Sequence, residues 1–142
     1  MGPRIYTPRE ANAMVPKLIR AFEDIDQIRN RLKTIKSKMD VLEMIWGEEI
    51  QAETCPDHRE YKHYLEEVEE SKKTFESTAA RVQKLEGVVK SVEQGLVDFY
   101  GVIEGRLIFL CWKRGEKGIE YYHHLEDGFQ GRQPIPAEEL AR

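Results

Sequence analysis

The chain has 142 residues, enough for about one domain with its own hydrophobic core. Charged residues make up 34% of it and the formal net charge is -4, which excludes a general attraction to nucleic acid or anionic membranes. It has no signal-peptide core, no apolar run near the roughly 20 residues of a membrane span, and no secreted disulfide pattern. We therefore expect a cytoplasmic protein of one domain, residues 1–142, without nucleic-acid or membrane partners.

The first predicted element is a long helix whose apolar seam covers residues 11–46. Its apolar residues recur with heptad spacing on two lines, which is typical of a helix that packs on another in coiled-coil fashion. Thr7, Pro8 and Glu10 predict its start as a capping box with proline in the first turn, and Gly47 predicts its end. The two lines are Leu18, Ile25, Leu32, Met39 and Trp46, and Ala21, Ile28, Ile35 and Leu42.

Pro16 interrupts this helical pattern. A proline inside a helix lacks the backbone donor and clashes with the carbonyl four residues earlier, here that of Asn12. We predict a kink at Pro16 that bends the first turns, with Ala11, Met14 and Val15, onto another part of the chain.

A second helix follows a polar loop, and together the two predict a long antiparallel hairpin over residues 7–86. Asp57 and Glu60 predict its start, and Gly87 in the left-handed conformation predicts its end. Its two apolar lines are Tyr61, Val68, Phe75 and Val82, and Tyr64, Ser71, Thr78 and Leu85. The basic run "RNRLKTIKSK" would then lie beside the acidic "LEEVEE", so we interpret it as ion pairing or a solvated face.

The pattern changes to that of strands after Gly95. The runs "LVDFY", "RLIFLCWK" and "IEYYHHL" alternate with the glycine turns "GVIEG" and "RGEKG". They predict a three-stranded antiparallel meander within residues 88–134, with "VVKSV" as a possible fourth strand. The middle strand is apolar on both faces, so both should be covered, one of them by the kinked helix start. The predicted fold class is α+β.

The segment "YYHHLEDGFQGR" carries the most suggestive polar residues. His123 and His124 are adjacent, so on a strand they point to opposite faces and cannot share a metal ion. The chain has no paired Cys-x-x-Cys signature, and we expect neither a metal ligand set nor a cofactor. Asp98 and His123 could meet across the sheet, either as a functional pair or as a structural hydrogen bond.

Two interpretations of "DGFQGR" remain open. Gly128 and Gly131 permit a concavity of backbone amides, in which Arg132 would help to bind a small anion. The alternative is a surface turn in which Arg132 pairs with an acid. The candidate acids are Asp98, Glu126 and Asp127.

The motifs at the two ends of the chain, "YTPREAN" in front and "GLVDF", "LCW" and "YYHHLEDGFQGR" behind, resemble an uncharacterised bacterial family, domain-of-unknown-function family 2203. The resemblance covers essentially the whole chain and departs from the family pattern at Tyr100 and His124. It implies a cytoplasmic bacterial protein and brings no known activity, substrate or cofactor. The matching positions are Thr7, Glu10, Ala11, Asn12, Gly95, Leu96, Asp98, Phe99, Leu110, Cys111, Trp112, His123, Gly128, Phe129, Gly131 and Arg132.

These observations support two functional hypotheses and no catalytic assignment. The first is a non-enzymatic scaffold or interaction module that forms a homodimer through its hairpin, or binds a protein partner. The second is a small-anion or small-ligand binder, or an enzyme, whose polar site lies between the first helix and the sheet. The candidate ligand-binding residues are Glu10, Asn12, Asp98, Trp112, His123 and Arg132. Apolar residues beside the seam favour dimerisation: Ile19, Phe22, Val41, Met44 and Ile45.

Overall fold

A computed structural model of the protein describes residues 2–142 and confirms the predicted α+β class, with the helices first in the chain and an antiparallel sheet after them. The chain forms two compact units. One contains the residues up to Phe22 together with Ala80–Arg142, and the other contains Glu23–Ala79. No helix within residues 2–142 is both long enough and apolar enough to span a bilayer.

The first helix is bent by a turn, as predicted, but the break precedes Pro16. Helix α1 is Pro8–Asn12 and α2 is Val15–Trp46, with a turn at residues 13 and 14 between them. Thr7 and Glu10 form the predicted capping box at the start of α1. Pro16 lies in the first turn of α2, where a missing N–H removes no hydrogen bond, so proline is well tolerated there.

Within residues 23–79, α2 packs on α3, His58–Lys84. The heptad lines predict the buried positions well, with one error, because Phe75 is 39% exposed. A 3-10 helix, Gly47–Gln51, follows α2, and Gly47 has the positive φ expected at a helix end. The buried seam positions are Ile25, Ile28, Ile35, Leu42, Tyr61, Ser71 and Thr78.

Helix α3 ends differently from the prediction. It stops at Lys84, and Glu86 rather than Gly87 has the left-handed φ of 58°. Gly87 is needed for space instead, since a Cβ there would lie 2.9 Å from the side chains of Phe99 and Val97. The glycine therefore allows the end of α3 to approach the sheet closely.

The sheet has five antiparallel strands in sequential order, one more than the largest number predicted. They are β1 Val88–Ser91, β2 Leu96–Ile103, β3 Arg106–Lys113, β4 Tyr121–His124 and β5 Gln133–Pro134. Strand β1 corresponds to the possible fourth strand "VVKSV" of the sequence analysis without its last residue. Strand β2 is longer than predicted, because Glu104 and Gly105 alone, both with positive φ, connect it to β3.

One side of the sheet, which we call the helix-facing side, is covered by the start of the chain. Phe22 of α2 packs on Trp112 with ring centroids 5.9 Å apart, and Tyr6 packs on Phe99 at 5.0 Å. The start of the chain therefore meets this side of the sheet, while the packing of Ala11, Met14 and Val15 on it stays a prediction. The fully buried side chains on this side include Val97, Phe99, Leu110 and Trp112.

The opposite side, which we call the loop-facing side, lies beneath the segment that follows β4. The ammonium group of Lys113 sits 5.1 Å from the ring centroid of Phe129, which belongs to this segment. Side chains alternate along a strand, so the neighbours of the helix-facing residues in sequence point to the loop-facing side. Asp98, between Val97 and Phe99, is one of them.

Candidate functional site

Three buried polar side chains meet on the loop-facing side. Asp98 of β2 lies directly opposite Cys111 of β3 in the register, and His123 of β4 lies opposite Phe109. Because Phe109 and Cys111 are two residues apart, all these side chains share one face of the sheet. A potential ligand atom from each of Asp98, Cys111 and His123 lies within 4.8 Å of the other two. We call this group the polar triad.

Hydrogen bonds orient the histidine of the polar triad. His123 Nε2 lies 3.0 Å from Asp98 Oδ2, and Nδ1 lies 2.9 Å from the carbonyl oxygen of His124. A carbonyl oxygen can only accept, so Nδ1 carries a proton and donates it, which fixes the ring orientation. The predicted meeting of Asp98 and His123 across the sheet is therefore confirmed. The other carboxylate oxygen, Asp98 Oδ1, is buried and has no hydrogen-bond partner within residues 2–142, apart from the weak thiol donor of Cys111 beside the same carboxylate.

Burial raises the pKa values of the other two members, Asp98 and Cys111. It raises the pKa of the Asp98 carboxyl above its ordinary value, against the opposing effect of the neighbouring His123. Burial and then the nearby carboxylate of Asp98 raise the pKa of the Cys111 thiol to about 12. Cys111 is therefore a neutral thiol at physiological pH, and a poor nucleophile, since the thiolate is the reactive form.

A small cavity adjoins the polar triad. Its volume is about 130 Å³, enough for a few water molecules or a small hydrated ion. Its wall combines the polar triad with Lys90 and Leu96 of the sheet and with the segment after β4. That segment contributes Asp127, Gly128 and Phe129.

Arg132 fixes this segment in place. Its Nη1 lies 3.0 and 2.9 Å from the two carboxylate oxygens of Glu116, and its guanidinium stacks on the rings of Tyr121 and Phe129. The acid that it pairs with is Glu116, which lies between β3 and β4 and is none of the three candidate acids named for the turn. These contacts place Arg132 beside the cavity, where its charge also acts on the Cys111 thiol.

The other three candidates of the sequence analysis lie elsewhere. Glu10 is exposed and occupied in the capping box of α1. Asn12 makes two bonds with the backbone of Ile119, since its Oδ1 accepts the N–H at 2.6 Å and its Nδ2 donates to the carbonyl at 3.2 Å. Trp112 is buried on the helix-facing side, where its indole N–H donates to the backbone carbonyl of Glu116. The structure therefore does not bring the six candidates together between the helix and the sheet.

Two residues of this region, Cys111 and Glu116, were missed as site residues, and only Cys111 left a signal in the sequence. Cys111 lies inside the apolar run "RLIFLCWK", yet a two-residue turn at Glu104 and Gly105 is enough to place it opposite Asp98. Glu116 lies in the turn "RGEKG", where it also accepts the backbone N–H of Lys113 at 2.7 Å. Its bond to Arg132 depends on the tertiary fold and has no sequence pattern.

Comparison with known proteins gives a family and no relative of known activity. The family model described as an uncharacterized conserved protein, DUF2203, matches residues 4–135. No curated protein and no solved structure is similar enough to count as a match. The polar triad lies within the matched range.

Proposed function

The chain belongs to the DUF2203 family of uncharacterized conserved proteins, and from its geometry we propose that it binds a small ligand in the cavity beside the polar triad. The observation that carries this proposal is the unpartnered Oδ1 of Asp98. A buried polar group without a partner costs about 1 to 3 kcal/mol, and a ligand that bonds to this oxygen would recover that free energy.

The cavity distinguishes this function from a purely structural network. A network of mutual hydrogen bonds without free space would support a scaffold, whereas here Asp98, Cys111 and His123 line an open volume. The neutral thiol of Cys111 argues against nucleophilic catalysis, because its pKa of about 12 leaves almost no thiolate at pH 7. We therefore favour a binding protein over an enzyme. Its two cysteines are free and buried, which agrees with the reducing environment of a cytoplasmic location.

Native mass spectrometry of the freshly purified protein tests this function. We expect the wild-type chain to retain a small mass that is released on denaturation, and Asp98→Asn to reduce the occupied fraction strongly. Glu120→Gln is the matched control, because Glu120 is an exposed carboxylate and its removal should leave the occupancy unchanged. A wild-type chain without a retained mass, whose melting temperature does not respond to phosphate, sulfate or divalent cations, would refute the proposal.

A second candidate function is self-association of the hairpin in coiled-coil fashion, which would make the protein a homodimeric scaffold. Val41, Met44 and Ile45 are 53%, 84% and 63% exposed, and their spacing places them on one side of α2. Ile19 is also exposed, whereas Phe22 is buried against Trp112 and is not available for this contact. A protein partner could use the same apolar surface.

Light scattering at tens of micromolar protein measures this association. We expect a dimer for the wild type and a monomer for the double variant Met44→Lys, Ile45→Lys, since two ammonium groups oppose burial of the surface. Val102→Lys changes an exposed apolar residue of the sheet and should remain dimeric. A monomeric wild type would remove self-association from consideration without affecting the ligand site.

A further inference from the structure

We propose that the ligand in the cavity is a divalent transition-metal cation of the zinc class, bound by Asp98, Cys111 and His123. This inference rests on the proposed small-ligand function and names the chemical class of the ligand. Within residues 2–142, this is the one group of three such side chains whose potential ligand atoms lie close enough together to hold a metal ion.

The distances suit a metal ion after small side-chain movements. Zinc binds nitrogen and oxygen at about 2.0 to 2.2 Å and sulfur at about 2.3 Å, so tetrahedral ligand atoms lie roughly 3.3 to 3.8 Å apart. The Asp98 and His123 atoms are now 3.0 Å apart, and the sulfur of Cys111 lies within 4.8 Å of both. Tetrahedral coordination would require the Asp98 and His123 atoms to move slightly apart and the sulfur of Cys111 to move closer to both.

The histidine is oriented as in a zinc site. Ligating histidines usually donate the second ring N–H to a carbonyl or carboxylate, which leaves the other nitrogen free for the metal. In His123 that donor is Nδ1, which bonds to the carbonyl of His124, so Nε2 is the nitrogen that faces Asp98. If that nitrogen and the carboxylate both presented lone pairs they would repel each other across 3.0 Å, so a hydrogen lies between them in the free protein. A metal cation would take its place, and this proton would leave to solvent.

The charges balance when the metal is bound. Cys111 would bind as a thiolate after losing its proton to solvent, and Asp98 would bind as a carboxylate, so two negative charges neutralise one divalent cation. A buried neutral complex avoids the high free energy of an uncompensated charge. It also places a cation beside the Asp98 carboxylate, of which Oδ1 is unpartnered in the free protein.

The set of donor atoms indicates the class of metal. Thiolate and imidazole favour zinc and similar transition metals, whereas magnesium and calcium prefer oxygen ligands. Three protein ligands leave a fourth position of a tetrahedral ion for water or another small molecule, as in zinc sites that exchange a ligand. The adjoining cavity of about 130 Å³ provides the space for it.

Titration of the metal-free protein with cobalt(II), a spectroscopic substitute for zinc, tests the site. We expect saturation at one cobalt per chain, with the intense absorption of a thiolate-to-cobalt charge transfer, and reversal by zinc. Cys111→Ser should abolish this absorption, and His123→Gln should weaken binding by about tenfold or more. The matched control is Cys55→Ser, since Cys55 is the other free, buried cysteine and its loss should change neither result.

The possible outcomes separate this inference from the general ligand-binding function. If folded wild-type protein binds neither cobalt nor zinc but retains another mass that Asp98→Asn reduces, the metal is wrong and the ligand-binding function stands. If it neither binds metal nor retains a mass nor responds to added ions, both fail. An unchanged charge-transfer absorption in Cys111→Ser, folded by circular dichroism, would overturn the assignment of the sulfur ligand.

Discussion

The two sides of the sheet are built from the same strands and have opposite chemistry. The helix-facing side carries Phe99 and Trp112 in an apolar core, while the loop-facing side carries the polar triad of Asp98, Cys111 and His123. Strict alternation along β2 and β3 produces both, because consecutive side chains point to opposite faces. A register slip of one residue would exchange them, so the hydrophobic core also determines where the polar triad lies.

The two sides are also covered by different kinds of contact. Apolar rings from the start of the chain cover the helix-facing side. The segment over the loop-facing side depends on Arg132, through its ion pair with Glu116 and its stacking on Phe129. Segments with few buried apolar contacts open at the lowest free energy, so we expect the ligand to enter on the loop-facing side.

The largest effect should come from the apolar core. Trp112→Ala removes a fully buried indole and its hydrogen bond to the carbonyl of Glu116, so we expect a loss of about 3 to 5 kcal/mol in the free energy of unfolding. Denaturant unfolding followed by circular dichroism measures it. A loss below about 1 kcal/mol would mean that the helix-facing side does not dominate stability.

A smaller effect should come from the cover of the loop-facing side. Arg132→Ala leaves the partly buried carboxylate of Glu116 without its partner, and we expect a loss of about 1 to 3 kcal/mol. The matched control is Arg106→Ala, whose ion pair with Glu126 is mostly exposed and should contribute less than about 1 kcal/mol. Equal losses for the two variants would show that Arg132 does not fix the segment, and would reopen anion binding as its role.

The contribution of Tyr6 to stability on the helix-facing side should depend on pH. Its hydroxyl donates to the carbonyl of Leu85, so Tyr6→Phe should cost about 1 kcal/mol at neutral pH. Burial raises the pKa of the phenol above its ordinary value of about 10. The phenol therefore loses its proton at a higher pH in the folded state than in the unfolded state. The stabilisation is fully present below pH 10 or so and is lost as the pH rises through the folded pKa.

The measurement for Tyr6 is the free energy of unfolding of both proteins between neutral and strongly alkaline pH. The difference between wild type and Tyr6→Phe should shrink as the pH rises. A constant difference would show that the phenol does not ionise differently in the folded and unfolded states.

The smallest effect should come from Pro16. Because the helix break lies at residues 13 and 14, Pro16→Ala straightens nothing, and we expect a change in the free energy of unfolding within about 0.5 kcal/mol. Thermal unfolding of the two proteins compares them directly. A loss above about 2 kcal/mol would show that the rigid proline ring, rather than the turn before it, directs α2 onto the sheet.

Much of this fold follows from local patterns in the sequence. Heptad spacing predicts the buried positions of α2, such as Ile28 and Ile35, because a helix presents the same face every seven residues. Alternation predicts that His123 and His124 diverge and that Asp98 can meet His123. These features depend only on the period of each element.

The remaining features depend on tertiary contacts. Strand β5 has two residues, Gln133 and Pro134, too few to show a period. Arg132 has a long, flexible side chain that can reach several acids. Its pairing with Glu116, rather than with acids nearer in the sequence, depends on how the turn before β4 folds. The six candidate residues do not all lie together, for a related reason. Proximity of motifs in a family pattern does not show which face of a strand each side chain uses.

The amide of Asn12 acts as a substitute peptide group, since it bonds to both the N–H and the carbonyl of Ile119. It also fills the space over Gly118, where a Cβ would lie 2.7 Å from Asn12 Oδ1. Any side chain at position 118 would therefore displace the amide, and loss of the amide would leave the backbone of Ile119 unpaired. In sequences that keep this fold, we therefore expect either both Asn12 and Gly118 to be retained or both positions to be substituted.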